Sequence, residues 1–165
     1  MSGDCCAVPR QPADAADDRC PADGALGVAV EFATVAAQTH GPLPEPQDFR
    51  TCRSKDCEVV YFGSRGTLIR TADLWVAPGF KADGSDLVCY CFRLTRGDLA
   101  EDLRTRGEST LFAWIKDRVA AGGCACGVRN PSGRCCLADV RKELAGYAPV
   151  APRVLEANPG AEQPR

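Results

Sequence analysis

The chain has 165 residues, a formal net charge of -2, and eleven cysteines beside a single histidine. That balance leaves no electrostatic footprint for nucleic acid, and no apolar run approaches the ~20 residues of a membrane-spanning helix, so neither nucleic acid binding nor membrane insertion is expected. With one histidine, no Ser/His/Asp set, no phosphate-binding glycine loop and no dinucleotide fingerprint, the chain reads as a non-enzyme.

Residues 1–18 are acidic and rich in alanine and proline. They read as a disordered tail rather than a leader peptide, and the Pro-rich stretch 148–165 reads as a second tail. The stretch 19–87 reads as β-rich and zinc-binding. A first extended run covers 28–32, and prolines break the chain over 41–46. Phe49-Arg50-Thr51-Cys52 and the β-branched and aromatic Glu58-Val59-Val60-Tyr61-Phe62 flank a short cysteine turn, with Gly63 and Gly66 punctuating before 67–70. That layout is zinc-ribbon-like. From 88 to 147 the pattern turns helical. Thr95 and Asp98 form a capping-box pair opening a helix that stops at Gly107. Ser109 caps a second helix with Leu111, Phe112, Ile115 and Val119 on one face, ending at Gly122-Gly123. Leu137, Val140 and Leu144 mark a third. The fold class is α+β: a small zinc-ribbon-like β half, then a helix-turn-helix plus one more helix. Trp75, Trp114 and Phe112 are expected to pack the joint between the halves.

The cysteines carry the chemistry. Thiolate is the ligand that iron–sulfur clusters, Cu(I) and zinc favour, and clustered thiols in a chain without a leader point to a reducing cytoplasm rather than a disulfide framework. Cys89-Tyr90-Cys91 lies on an extended stretch before a helix, which lets both sulfurs face the same way. The helix-turn-helix returns the chain through the turn-rich loop 122–134, delivering Cys124 and Cys135 or Cys136, with backbone N–H groups free to face cluster sulfurs. In the first half, Cys20-Pro21-Ala22-Asp23-Gly24 has the form of a zinc knuckle with aspartate for its second cysteine, and Cys52-x4-Cys57 supplies another pair. Cys20, Asp23, Cys52 and Cys57 make an acceptable Zn2+ set because carboxylate oxygen binds zinc at a distance similar to nitrogen. His40 competes for the fourth position. Cys5-Cys6 reads either as a soft-metal claw for Cu(I) or Hg(II) or as inert tail.

The Cys-x-Cys motif followed by a cysteine thirty-odd residues later resembles the bacterioferritin-associated ferredoxin type of [2Fe–2S] domain. Val88-Cys89-Tyr90-Cys91-Phe92, Gly79-Phe80-Lys81, Cys57-Glu58-Val59-Val60-Tyr61-Phe62 and residues 130–137 together resemble the N-terminal domain of CopZ-type copper chaperones. The resemblance implies one [2Fe–2S] cluster and one mononuclear zinc. Carried over, it implies cluster ligands Cys89, Cys91, Cys124 and Cys135, with Cys126 and Cys136 as alternates.

It also implies a metallochaperone role in copper trafficking, with the cluster in a redox role. The partners would be a copper-transporting ATPase or a separate copper-binding domain. The Met-x-Cys-x2-Cys loop of CopZ copper-binding domains does not occur in this sequence, whose only methionine is Met1. The alternative is a ferredoxin-like electron carrier or redox sensor with its own redox partner, without copper transfer. A zinc-only interaction module is a third reading.

Overall fold

The computed structural model describes residues 18–147. Among them the chain forms two units. One contains residues up to Ser85 together with Gly127–Arg134; the other contains Asp86–Cys126 and the residues from Cys135 onward. The two tails and Cys5-Cys6 lie outside the described residues.

The first unit is an antiparallel sheet of four strands in the order β1-β2-β3-β4: Val28–Val30, Phe49–Thr51, Val59–Gly63 and Leu68–Arg70. β3 lies between β2 and β4, and its Val59, Val60, Tyr61 and Phe62 are all buried. A run of β-branched and aromatic residues suits that position, which packs side chains on both faces. One face joins a core of Val35, Phe49, Val60, Tyr61, Ile69 and Leu74; Val59 and Phe62 join a smaller cluster with Cys20 and Cys52. The strands follow the extended runs read from sequence, with one correction. The run expected over 28–32 ends at Val30, and helix α1 (Phe32–Gln38) follows, burying Thr34 and Val35. Its Ala33, Ala36 and Ala37 favour helix locally.

The segment Gly127–Arg134, which sequence reading assigns to the helical half, belongs to the sheet unit. The Thr34 hydroxyl donates to the Gly127 carbonyl, and Gln38 Nε2 donates to the carbonyls of Val128 and Arg129 at 2.7 and 3.2 Å. The Tyr61 hydroxyl donates to the Pro131 carbonyl at 2.6 Å. Asn130 holds the turn itself, accepting from the Ser132 N–H and donating to the Arg134 carbonyl. Backbone carbonyls in a turn need donors, and here α1 and β3 provide them. These groups are therefore spent within the sheet unit.

In the second unit β5 (Leu87–Cys89) and β6 (Leu94–Thr95) form a short antiparallel hairpin that leads into α2 (Arg96–Arg106). The capping box read from sequence is present: the Thr95 hydroxyl accepts from the Asp98 N–H, and the Asp98 carboxylate accepts from the Thr95 N–H. Ser109 caps α3 (Thr110–Ala120) by accepting from the Phe112 N–H at 3.2 Å. A single turn, α4 (Cys126–Arg129), contributes only Cys126 to this unit, and α5 (Leu137–Gly146) follows. Leu99, Ile115 and Val140, one from each long helix, meet in a core that also contains Val88, Cys89, Cys126 and Cys136. Trp75 corrects another expectation. It is 70 % exposed, against the edge of His40, while Trp114 stacks edge-on with Phe92 inside the helical unit.

Candidate metal centres

Residues 19–26 fold back on themselves. Arg19 bridges to Leu26, the Cys20 N–H donates to the Ala25 carbonyl at 2.8 Å, and the Gly24 N–H donates back to the Cys20 carbonyl at 2.8 Å. The reversal needs Gly24 at φ 73, a left-handed backbone that glycine adopts without strain. It brings Asp23 round beside Cys20, where its carboxylate also accepts from the Ala25 N–H at 3.1 Å. Cys52 follows β2 directly and its N–H donates to the Val60 carbonyl at 2.9 Å; Cys57 precedes β3. Adjacent strands thus deliver the second pair to the same place as the first.

One ligand atom from each of Cys20, Asp23, Cys52 and Cys57 lies within 4.8 Å of all the others. The sulfurs of Cys20 and Cys57 are 3.9 Å apart, and Cys52 Sγ is 3.6 and 3.7 Å from the two Asp23 oxygens. Tetrahedral zinc with bonds of about 2.3 Å to sulfur and about 2.1 Å to oxygen requires separations of about 3.8 and about 3.6 Å. The donor set therefore fits a zinc ion in identity and in spacing. Cys20 and Cys52 are fully buried, Cys57 is half-buried and Asp23 is exposed. Burial pushes the Cys20 thiol up to about 12 and raises Cys57, since a lone thiolate is disfavoured away from water. The Ser54 hydroxyl, then the Ala25 N–H, hold the Asp23 carboxyl well below the carboxylate range. His40 is not in the set; its Nε2 pairs with the Ala72 carbonyl at 2.8 Å.

The second group of thiols lies in the helical unit. Cys89 ends β5 and Cys91 sits in the tight turn before β6. Cys126 opens α4 and Cys136 is the N-cap residue of α5. The sulfurs meet in two pairs: Cys136 to Cys89 at 2.9 Å and Cys91 to Cys126 at 3.5 Å. The Ala125 N–H donates to Cys91 Sγ at 3.3 Å, from the first part of loop 122–134. The Cys136 thiol donates to Cys89, which drops to about 7, while Cys136 itself is raised by the same contact and by burial. Burial also pushes Cys126 up to about 12. Cys124 is half-buried and Cys135 exposed, and neither is a partner in these two contacts. Two sulfur pairs in one core, with Cys89, Cys126 and Cys136 buried, offer four thiols to a soft-metal centre. Sequence reasoning could not tell which of Cys124 and Cys126 meets Cys91, because the two are a residue apart and differ only in what the fold places against them.

A family described as a zinc binding domain, of CopZ type, matches residues 17–75, which include Cys20, Asp23, Cys52 and Cys57. The copper chaperone CopZ of Archaeoglobus fulgidus is 36% identical over 121 residues, covering 72% of this chain and 57% of that protein. The chain thus spans little more than half the length of that curated relative. The X-ray structure of the Archaeoglobus fulgidus CopZ N-terminal domain is 34% identical, with a TM-score of 0.61, and the match covers 75% of this chain and 95% of that domain.

Proposed function

The chain belongs to the family of CopZ N-terminal domains, and from that premise we propose that it is a zinc- and [2Fe–2S]-binding metallochaperone-type protein taking part in copper trafficking. Cys20, Asp23, Cys52 and Cys57 hold the zinc. The observation that carries the cluster assignment is the meeting of Cys89 with Cys136 and of Cys91 with Cys126, two thiols for each of two irons. On this reading Cys126 and Cys136 are the ligands, in place of Cys124 and Cys135. When bound, the cluster supplies one-electron chemistry. The protein's own part is to present buried thiols that exclude water and to aim the Ala125 N–H at Cys91 Sγ, which favours the anionic sulfur. No group-transfer catalysis is assigned to this chain.

Copper delivery further requires a partner: a copper-transporting ATPase or a separate copper-binding domain. The setting proposed is the reducing cytoplasm; no helix among the described residues is long and apolar enough to cross a membrane. A second reading, a ferredoxin-like electron carrier or redox sensor, is favoured by one feature. Cys91 and Cys124 are half-buried and Cys135 exposed, which puts the thiol-rich end of this unit close to solvent and to a redox partner.

Anaerobically prepared protein is expected to contain one zinc, two irons and two sulfides per chain, with the ultraviolet–visible and EPR spectra of a [2Fe–2S] centre. Titration with Cu(I) against a chelator then separates the readings. Stoichiometric copper bound with the cluster intact supports the chaperone reading, and copper bound only as iron is lost favours the electron carrier. Colourless, iron-free protein from iron-replete cells would sink both.

A further inference from the structure

Lys81 is only 5% exposed. Burying an ammonium is costly unless its donors are satisfied and its charge is offset. Its Nζ donates to the Ser54 carbonyl at 2.9 Å and to the Val59 carbonyl at 2.7 Å, and it lies 5.8 Å from the Phe80 ring centroid. These partners are neutral. Asp56, Glu58 and Asp83, the acidic residues of the cavity that Lys81 lines, are all exposed to solvent.

The positions of the two carbonyls are informative. Ser54 lies between Cys52 and Cys57, and Val59 lies two residues beyond Cys57. One ammonium therefore ties the interior of the Cys52-x4-Cys57 loop to the strand that follows it. The loop bearing Lys81 is itself shaped for this contact. The Ala82 N–H donates to the Lys55 carbonyl at 2.9 Å, the Ser85 N–H donates to the Ala77 carbonyl at 3.0 Å, and a Cβ on Gly84 would meet the Pro78 carbonyl oxygen at 1.9 Å. Lys81 and Cys57 also share the wall of one cavity of about 390 Å³. Zinc bound by three thiolates and one carboxylate is formally anionic, because four negative ligands outweigh a dication.

We infer that Lys81 is the positioning residue of the zinc centre, clamping the Cys52–Cys57 loop through its two carbonyls and setting a buried positive charge beside an anionic site. The inference rests on the zinc reading above. It adds a residue that neither binds metal nor falls within the matched stretch 17–75.

The test is competition for zinc between the full chain and a chromophoric chelator, comparing the unsubstituted protein with Lys81→Met and Lys81→Gln. Met fills the space with neither charge nor donor; Gln restores a donor without charge. Lys81→Met is expected to weaken zinc binding by about 10–100-fold, the usual cost of removing an outer partner, with Lys81→Gln recovering part of it and the visible spectrum of the helical unit unchanged. Zinc affinity within about threefold of the unsubstituted protein in both variants overturns the proposal, whatever happens to their melting temperatures. If the variants do not fold, the unsubstituted chain still decides. Acylation of lysines, read by mass spectrometry, should spare Lys81 while zinc is bound and reach it after chelation, with exposed Lys116 as reference. Equal acylation of Lys81 in both states overturns the clamp. An unsubstituted chain that takes up no zinc removes the zinc reading itself, a failure visible before any variant is compared.

Discussion

Asp23 stands where a Cys-Pro-x-Cys-Gly knuckle has its second cysteine, and it is the only exposed member of its set. Its carboxylate is held ionised by Ser54 and the Ala25 N–H, so as the proposed zinc ligand it would be an anion at neutral pH. Asp23→Ala should weaken zinc binding at least tenfold, about 1.4 kcal/mol, in a chelator competition; unchanged affinity would leave a three-thiolate site. Among the six thiols of the helical unit, contact distinguishes members that are nearly interchangeable in sequence. Cys126→Ser and Cys136→Ser should each strip most of the visible absorption and iron, whereas Cys124→Ser and Cys135→Ser should keep both. The reverse pattern restores the ligand set Cys89, Cys91, Cys124 and Cys135 implied by the family resemblance.

The corner between α2 and α3 is set by one carboxylate at the level of secondary structure. Asp102 near the end of α2 accepts from the Thr110 hydroxyl at 2.7 Å, the Leu111 N–H at 2.9 Å and the Ser109 hydroxyl at 3.3 Å, and pairs with Arg106 at 3.2 Å. It thereby satisfies free N–H and hydroxyl groups at the start of α3. Burial alone pushes its carboxyl up, but these donors outweigh that and hold it below the usual range. A depressed carboxylate stabilises the fold above its unfolded value of about 3.9 and loses that contribution as pH falls through the folded value. Asp102→Asn should therefore cost about 1.5–3 kcal/mol at pH 7, read by denaturant melts, and the gap to the unsubstituted protein should close as the pH falls below about 4. A gap that persists in acid would assign the loss to packing. This corner was only partly legible. Ser109 as a cap follows from sequence, but Asp102 is seven residues away and has no spacing signature that would mark it.

Metal and core are combined differently in the two units at the scale of the whole molecule. In the sheet unit Cys20 and Cys52 lie with Val59 and Phe62 in a small cluster, while Val35, Phe49, Val60, Tyr61, Ile69 and Leu74 form a separate core without thiols. In the helical unit Cys89, Cys126 and Cys136 share one core with Leu99, Ile115 and Val140. Zinc affinity appears as folding free energy, about 10–16 kcal/mol in apparent terms for structural sites. Chelation of zinc should lower the melting temperature of the sheet unit while the visible absorption of the helical unit survives. A melting curve indifferent to chelator would mean that the thiol-free core suffices. The sequence by itself determined the α+β succession, most strands, the helix caps and the two groups of cysteines. Each of these follows from local periodicity, turn chemistry or ligand type. Only the tertiary structure decided which sulfurs meet, that Gly127–Arg134 belongs with the sheet, and that Lys81 reaches the Cys52–Cys57 loop from 27 residues away. Those choices are made by pairings between residues distant in sequence, where the free energy of burying a donor or a thiol depends on what the rest of the chain brings to it.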